Sequence, residues 1–476
     1  MTALPTSAEI VARFRDGTLS PSTLVRSIFE AARGARGTPN RDPFVAMDLD
    51  RALADATASE ARWKAGAPKS ALDGVPIGVK DHVDVEGYAT RNGARWTPDV
   101  AAKSDAPVVA QLRAAGAIVV GKLHQHELGL GATGINPHFR TPRNPHDLER
   151  CPGGSSSGSG VAVAMGIVPL AVGADGGGSV RIPSSLDGVF GIKPTFGRLS
   201  RTAADLDGGT LAVIGPLASS VADLDLFLRH CCERDPRDRS MDGAPPLDVA
   251  ALDRARRVEG PKLKIGVVRG ELDDADPDIV AAFERALSAP ELAQVFERVE
   301  VTIPTLKIAR SIGYVTFGVE VAAGHREDIA RHRAEMGLDV RLLVALGERI
   351  SGAHFLHAQR HRARLRRDVD AALRQVDLLA LPTTACTAPK IHPDAESTGE
   401  VDEVGTAKLT RYTFMANLCG LPASSSPLGV DRIGLPIGLQ FVGAAFDEPT
   451  VLRAMYAMER AGIAACPEAR HRVRII

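Results

Sequence analysis

The stretch Cys151–Lys193, CPGGSSSGSGVAVAMGIVPLAVGADGGGSVRIPSSLDGVFGIK, sets a short apolar run, VPLAVGAD, between two glycine-serine clusters. The run has the length of a strand buried on both faces, and it ends in the turn DGGGS. Ser159–Gly166, just before it, is small and apolar and suits a helical crossover. A buried strand fed by a helix is the building unit of an α/β sheet. The pattern recurs in both directions along the chain. GVPIGVKD, GAIVVGK, KIGVV, VDLLALPT and IGLQFVG read as further buried strands, and Gln111–Gly116, Val221–Cys232 and Pro277–Ser288 as further crossovers. The expected fold class is therefore α/β, with a parallel or mixed central β-sheet flanked by helices on both faces.

Composition narrows the functional classes. The formal net charge is −1 over 476 residues, so nothing advertises nucleic acid or an anionic membrane as a partner. The N-terminal stretch MTALPTSAEIVARFRDG lacks the basic start and apolar run of a secretory signal. No stretch approaches the roughly 20 apolar residues of a membrane span. The six cysteines are scattered, with Cys231 and Cys232 adjacent, which fits a reducing compartment and a cytoplasmic location better than a disulfide framework.

The two clusters carry the chemistry. Ser155 and Ser179 lie 24 residues apart on glycine-rich turns, and Lys80 ends the apolar run VPIGV upstream. A serine nucleophile needs a group to take its proton and N–H groups waiting where an oxyanion forms. Three glycines before Ser179 let the backbone turn tightly and aim such N–H groups at one point. A lysine takes the proton if burial lowers its pKa from about 10.4. Ser155 can relay that proton between Ser179 and Lys80, and activity is then expected to rise towards alkaline pH. Arg181 can pair with Asp175 and hold the turn. The blander readings are a plain turn or helix cap for GGSSSGSG and a surface ion pair for Lys80. A phosphate-cradling loop lacks its Gly-Lys-Ser/Thr ending here. His124 and His126 have the look of a metal pair, but no further ligands can be placed, and no metal is expected.

Taken together, these segments resemble the amidase signature family. The resemblance rests on GVPIGVKD, CPGGSSSGSG, GADGGGSVRIP and GIKPTFGRLS, with GKLHQHELGLG, RNPHD, VDLLALPTT and GLPIGLQFVG as further matches. DGGGS and GGSSSGS are similar to plant-type fatty acid amide hydrolases, and HELGLGATGINPHF is similar to indoleacetamide- and mandelamide-type hydrolases. The resemblance implies an amidohydrolase with Ser179 as nucleophile, Ser155 as bridge and Lys80 as base. It implies a cis peptide bond from Gly154 to Ser155 and an oxyanion hole from Gly176, Gly177 and Gly178. Gly154, Ser156, Asp175 and Arg181 would support the site, and no metal or organic cofactor would be needed.

One amidase domain is expected over residues 1–476, with its signature core at 70–200. A mostly helical accessory region is expected at 305–375, beside the substrate pocket. Pocket segments are expected around Gly129–His138, Thr202–Leu211, Ile312–Val321 and Leu409–Leu421, with Gly129, Gly131, Tyr314, Phe317, Tyr412 and Met415 as substrate contacts. The expected partner is a small-molecule amide, and a homodimer is the candidate assembly. Two alternatives stand beside the amidohydrolase: a glutamine-hydrolysing amidotransferase A-type subunit, and a catalytically inactive amidase-like binding module.

Overall fold

The computed structural model describes residues 5–37, 42–204, 206, 209–268, 270–399, 401–473 and 475. Among them, eleven strands form one sheet: β1 (Phe44–Ala46), β2 (Pro76–Lys80), β3 (Ile118–Leu123), β4 (Leu170–Asp175), β5 (Phe190–Lys193), β6 (Val213–Ala218), β7 (Leu263–Val268), β8 (Phe296–Val301), β9 (Leu378–Pro382), β10 (Ala423–Val430) and β11 (Pro436–Gly443). Their spatial order is β1-β3-β2-β4-β6-β5-β10-β11-β9-β7-β8. β2 runs parallel to β3 and to β4, and β7 runs parallel to β8 and β9. The remaining pairs are antiparallel, so the sheet is mixed.

Every residue of β2, β3 and β4 is buried, which requires cover on both faces and explains why these strands read as continuous apolar runs. β2 and β4 are parallel neighbours, with Val79 beside Val172. Their C-terminal ends, Lys80 and Asp175, therefore leave the sheet at the same edge, where open α/β sheets place their sites.

Five strands escaped the sequence reading for physical reasons. β6 carries Pro216 in its middle, a residue that argues against a central strand, yet it pairs opposite Val172. β10 opens ASSSP, a turn-like composition, although Ser424, Ser425 and Ser426 are buried. β1 and β5 are only three and four residues long, and β8, at the end of the sheet, carries the exposed charges Glu297, Arg298 and Glu300. The crossover expected at Gln111–Gly116 begins earlier, at Pro107, because proline suits the first helical turn, and it ends at Ala114.

No strand interrupts the described residues between β8 and β9. Four helices fill that interval, Ala309–Gly324, Arg326–His332, Leu338–Arg349 and Gly352–Leu373. Glu127, just past β3, ties to the start of the third of them: its buried carboxylate accepts from the Gly337 N–H and from Trp96 Nε1, both at 2.8 Å, and lies 2.8 Å from His138 Nε2.

Asp187 closes the helix Arg181–Asp187 inside the core, and neither carboxylate oxygen has a hydrogen-bond partner. Burial pushes its pKa well above the usual carboxylate range. A raised pKa means that the stability this group contributes is complete below the unfolded value and is lost as pH rises through the folded one. Asp187→Asn, which removes the ionisation at nearly constant volume, is expected to raise the melting temperature by a few degrees at neutral pH. The gain should shrink as the melt is repeated towards pH 4. An equal melting temperature for both proteins at neutral pH would refute a buried, unpaired carboxyl at this position.

Candidate active site

Three segments converge at the shared edge of β2 and β4. β2 delivers Lys80. The loop 151–156, leading into the helix Ser157–Ala164, delivers Ser155. The turn after β4, leading into the helix Arg181–Asp187, delivers Ser179. Lys80 Nζ donates to Ser155 Oγ at 2.6 Å. Lys80, Ser155 and Ser179 all line one cavity of about 140 Å³, together with Asp175, Gly176, Gly129 and His82.

The loop that carries Ser155 is held from both sides. The Gly154–Ser155 peptide is cis. Ser156 Oγ donates to the Ala174 carbonyl and accepts from the Ala174 N–H, which docks the loop on β4. The Ser156 N–H donates to the Ser179 carbonyl at 3.3 Å, and the Gly154 N–H donates to Ala132. Gly154 has to be glycine, because a Cβ there would come 2.5 Å from the Gly131 carbonyl oxygen and 2.6 Å from the Gly134 nitrogen.

The turn that carries Ser179 is organised by Asp175 and Arg181, the pair expected from their spacing. Arg181 is fully buried, and every guanidinium nitrogen donates. Nε and Nη2 grip the Asp175 carboxylate at 2.9 and 2.8 Å. Nη1 reaches the Thr413 carbonyl and Gln440 Oε1, and Nη2 also reaches Asn417 Oδ1. Burial opposes ionisation of Asp175, but the Arg181 guanidinium outweighs it and holds the carboxyl well below the usual range. Breaking such a buried pair by removing one partner typically costs about 3–5 kcal/mol.

The carboxylate of Asp175 also accepts from the N–H groups of Gly178 (2.8 Å) and Val180 (3.2 Å). The Gly178 N–H is thus spent inside the turn, which corrects the expectation that it faces an oxyanion. The N–H groups of Gly176, Gly177 and Ser179 make no hydrogen bond among the described residues.

Burial lowers the Lys80 ammonium from 10.5 to about 7, with Asp175 opposing. A lysine at that value is a usable base near neutral pH. His82, two residues on, is held well below 6.5 by burial and by the neighbouring cations Lys80 and Lys122, so its ring stays neutral. Its Nε2 has no hydrogen-bond partner. Sequence reasoning passed over His82, although the alternation past a strand end places it near Lys80. Asn417, Gln440 and Thr413 were also missed. Gln440 lay within the matched segment GLPIGLQFVG, which was the available signal.

Of the expected substrate contacts, Gly129 and Phe317 line the cavity. Gly131 lies behind it, against the His126 ring. Tyr412 and Met415 are core residues, with the Tyr412 hydroxyl donating to the Glu271 carbonyl at 2.8 Å. Tyr314 packs on Phe414, with ring centroids 5.1 Å apart. Within the segment 202–211, positions 205, 207 and 208 lie outside the described residues. His126 Nε2 sits 2.8 Å from Asp339, whereas the His124 ring meets Phe139 edge-on.

The comparisons agree with this architecture. The amidase family model matches residues 26–452. A fatty acid amide hydrolase of Medicago truncatula is 36% identical over 461 residues, covering 95% of this chain and 75% of that protein. The A-type subunit of glutamyl-tRNA(Gln) amidotransferase from Anaeromyxobacter sp. (strain K) is 38% identical over 446 residues, 88% of each chain. A solved chain from a vestigial protein complex, described as revealing the evolutionary origins of an s-triazine catabolic enzyme, superposes with a TM-score of 0.88. It is 32% identical and covers 97% of this chain and 100% of its own. This chain belongs to the amidase family, and it is an enzyme that hydrolyses amide C–N bonds.

Proposed function

We propose that the chain cleaves a small carboxylic amide through an acyl-enzyme on Ser179, with Ser155 as proton relay and Lys80 as base. The observation that carries this reading is the 2.6 Å contact between Ser155 Oγ and a fully buried Lys80 Nζ, on a cavity that Ser179 shares. With Lys80 neutral, its amine takes the Ser155 proton as Ser155 takes that of Ser179. The Ser179 oxygen then bonds to the carbonyl carbon, and the N–H groups of Gly176, Gly177 and Ser179 face the oxyanion. As the C–N bond breaks, the leaving nitrogen receives the proton back along the same relay. Water attacks the ester by the reverse path and releases the acid, restoring Ser179. These steps are carried by side chains and backbone alone.

The likeness to A-type amidotransferase chains favours a second reading, in which glutamine is the amide and the ammonia is passed on. The two readings separate in one experiment. The purified chain alone is expected to release ammonia or amine from simple amides and to take up one equivalent of a fluorophosphonate probe at Ser179, read by peptide mass. Hydrolysis of glutamine only when partner chains are added would favour the amidotransferase. Failure of Ser179 to label would overturn the acyl-enzyme and leave a binding role.

A further inference from the structure

One face of the helix Ala309–Gly324 forms a wall of the cavity. Phe317, Glu320, Val321 and Gly324 line it, at the spacing of successive helical turns. Opposite them stands the turn that carries Ser179. Phe317 is seated on Gly176: a Cβ built at position 176 would lie 3.1 Å from Phe317 Cε2 and 3.4 Å from Ala212 Cβ. The ring therefore occupies the space that a side chain at 176 would otherwise fill.

Phe317 is not free to swing away as a unit with its helix. One turn earlier, Gly313 packs directly against the Phe414 ring. Phe414 also covers Gly177, where a Cβ would meet its ring at 2.6 Å. Two phenyl rings thus press on consecutive glycines of one turn, and the missing side chain at 313 draws the helix in. Glycine at 176, 177 and 313 is what permits this approach. The result is a cavity of about 140 Å³ whose apolar lining includes Leu128, Ala174, Ala212, Phe317 and Val321. An apolar cavity of about 150 Å³ accommodates benzene. Sites for larger ligands run to about 300–1,000 Å³.

We infer that Phe317, packed on Gly176, sets the depth of this pocket and restricts substrates to amides with a compact, ring-sized acyl group, aryl or short and branched. Long-chain acyl amides are excluded. The inference rests on the reading of Ser179 as nucleophile. Phe317 abuts Gly176, whose N–H faces the carbonyl oxygen in that reading, and we take the group it limits to be the acyl group. That group stays on the enzyme after the amine departs.

Labelling rates with two phosphonofluoridates of the same ester group, one phenyl and one dodecyl, test the pocket without knowledge of the natural amide. Intact-mass kinetics should show the phenyl probe modifying the wild-type chain at least about tenfold faster than the dodecyl probe. Phe317→Ala should bring the two rates within about threefold, chiefly by accelerating the dodecyl probe. Phe317→Leu, a milder change that protects against misfolding of the alanine variant, should fall between them. Equal rates in the wild type would overturn the size limit while leaving Ser179 as nucleophile. An unchanged ratio in both folded variants would overturn the role of Phe317. Absence of labelling by either probe in every protein would strike down the Ser179 reading and this inference with it.

Discussion

Ser179→Ala is expected to lower amide turnover by on the order of 10⁴- to 10⁶-fold, the loss seen when a serine nucleophile acting in a concerted set is removed. Only a hydroxyl is lost, at a half-buried position on a turn held by Asp175 and Arg181, so the fold should persist. Product release by the variant and its melting temperature, measured together, separate the two effects. In the proposed relay Ser179, Ser155 and Lys80 share one proton path, so a second substitution at Ser155 should add little to the first. Undiminished hydrolysis by folded Ser179→Ala would sink the acyl-enzyme.

Lys80→Met should cost nearly as much activity and little stability. The methionine keeps most of the apolar volume and removes an ammonium from a site with no exposure to water. A buried charge replaced by an apolar group of similar shape is often neutral or stabilising. Lys80→Arg should fail as well, because a guanidinium stays protonated throughout the accessible range.

The pH profile carries the sharper test. In the proposed mechanism the neutral amine is the active form, so kcat/KM should climb with unit slope below the Lys80 pKa and flatten above it. Burial places that pKa at about 7. The rise expected from sequence on the alkaline side therefore moves down, to between about pH 6 and 8, with a plateau beyond. A profile still climbing steeply at about pH 9, with chemistry shown to be rate-limiting, would show that Lys80 is not the group that titrates.

Residues legible from sequence share a property: their surroundings are local. Ser155 and Ser179 stand on glycine turns written into their own segments, and Asp175 and Arg181 meet across one such turn. Lys80 ends an apolar run short enough to be a buried strand. Partners from distant chain were not legible. Asn417 lies 236 residues from Arg181 and Gln440 lies 259 residues away, and although Gln440 sits in a matched segment, neither segment says which distant side chain it meets. Tyr412 and Met415 were expected at the pocket because an apolar residue near a site looks the same in sequence whether it faces the cavity or the core.

Local backbone chemistry and strand periodicity by themselves determined the α/β class, the glycine turns and the candidate trio Lys80, Ser155 and Ser179, which line one cavity. Tertiary structure alone decided how those groups behave. Parallel pairing of β2 with β4 brings Lys80 to the edge where the serine turns emerge. Packing from all sides removes water from Lys80 and so lowers its pKa. The carboxylate of Asp175 takes the Gly178 N–H out of the set of free donors. Phe317, arriving from a helix far along the chain, closes the space over Gly176. Each of these is a matter of what surrounds a residue in space, which spacing along the chain does not encode.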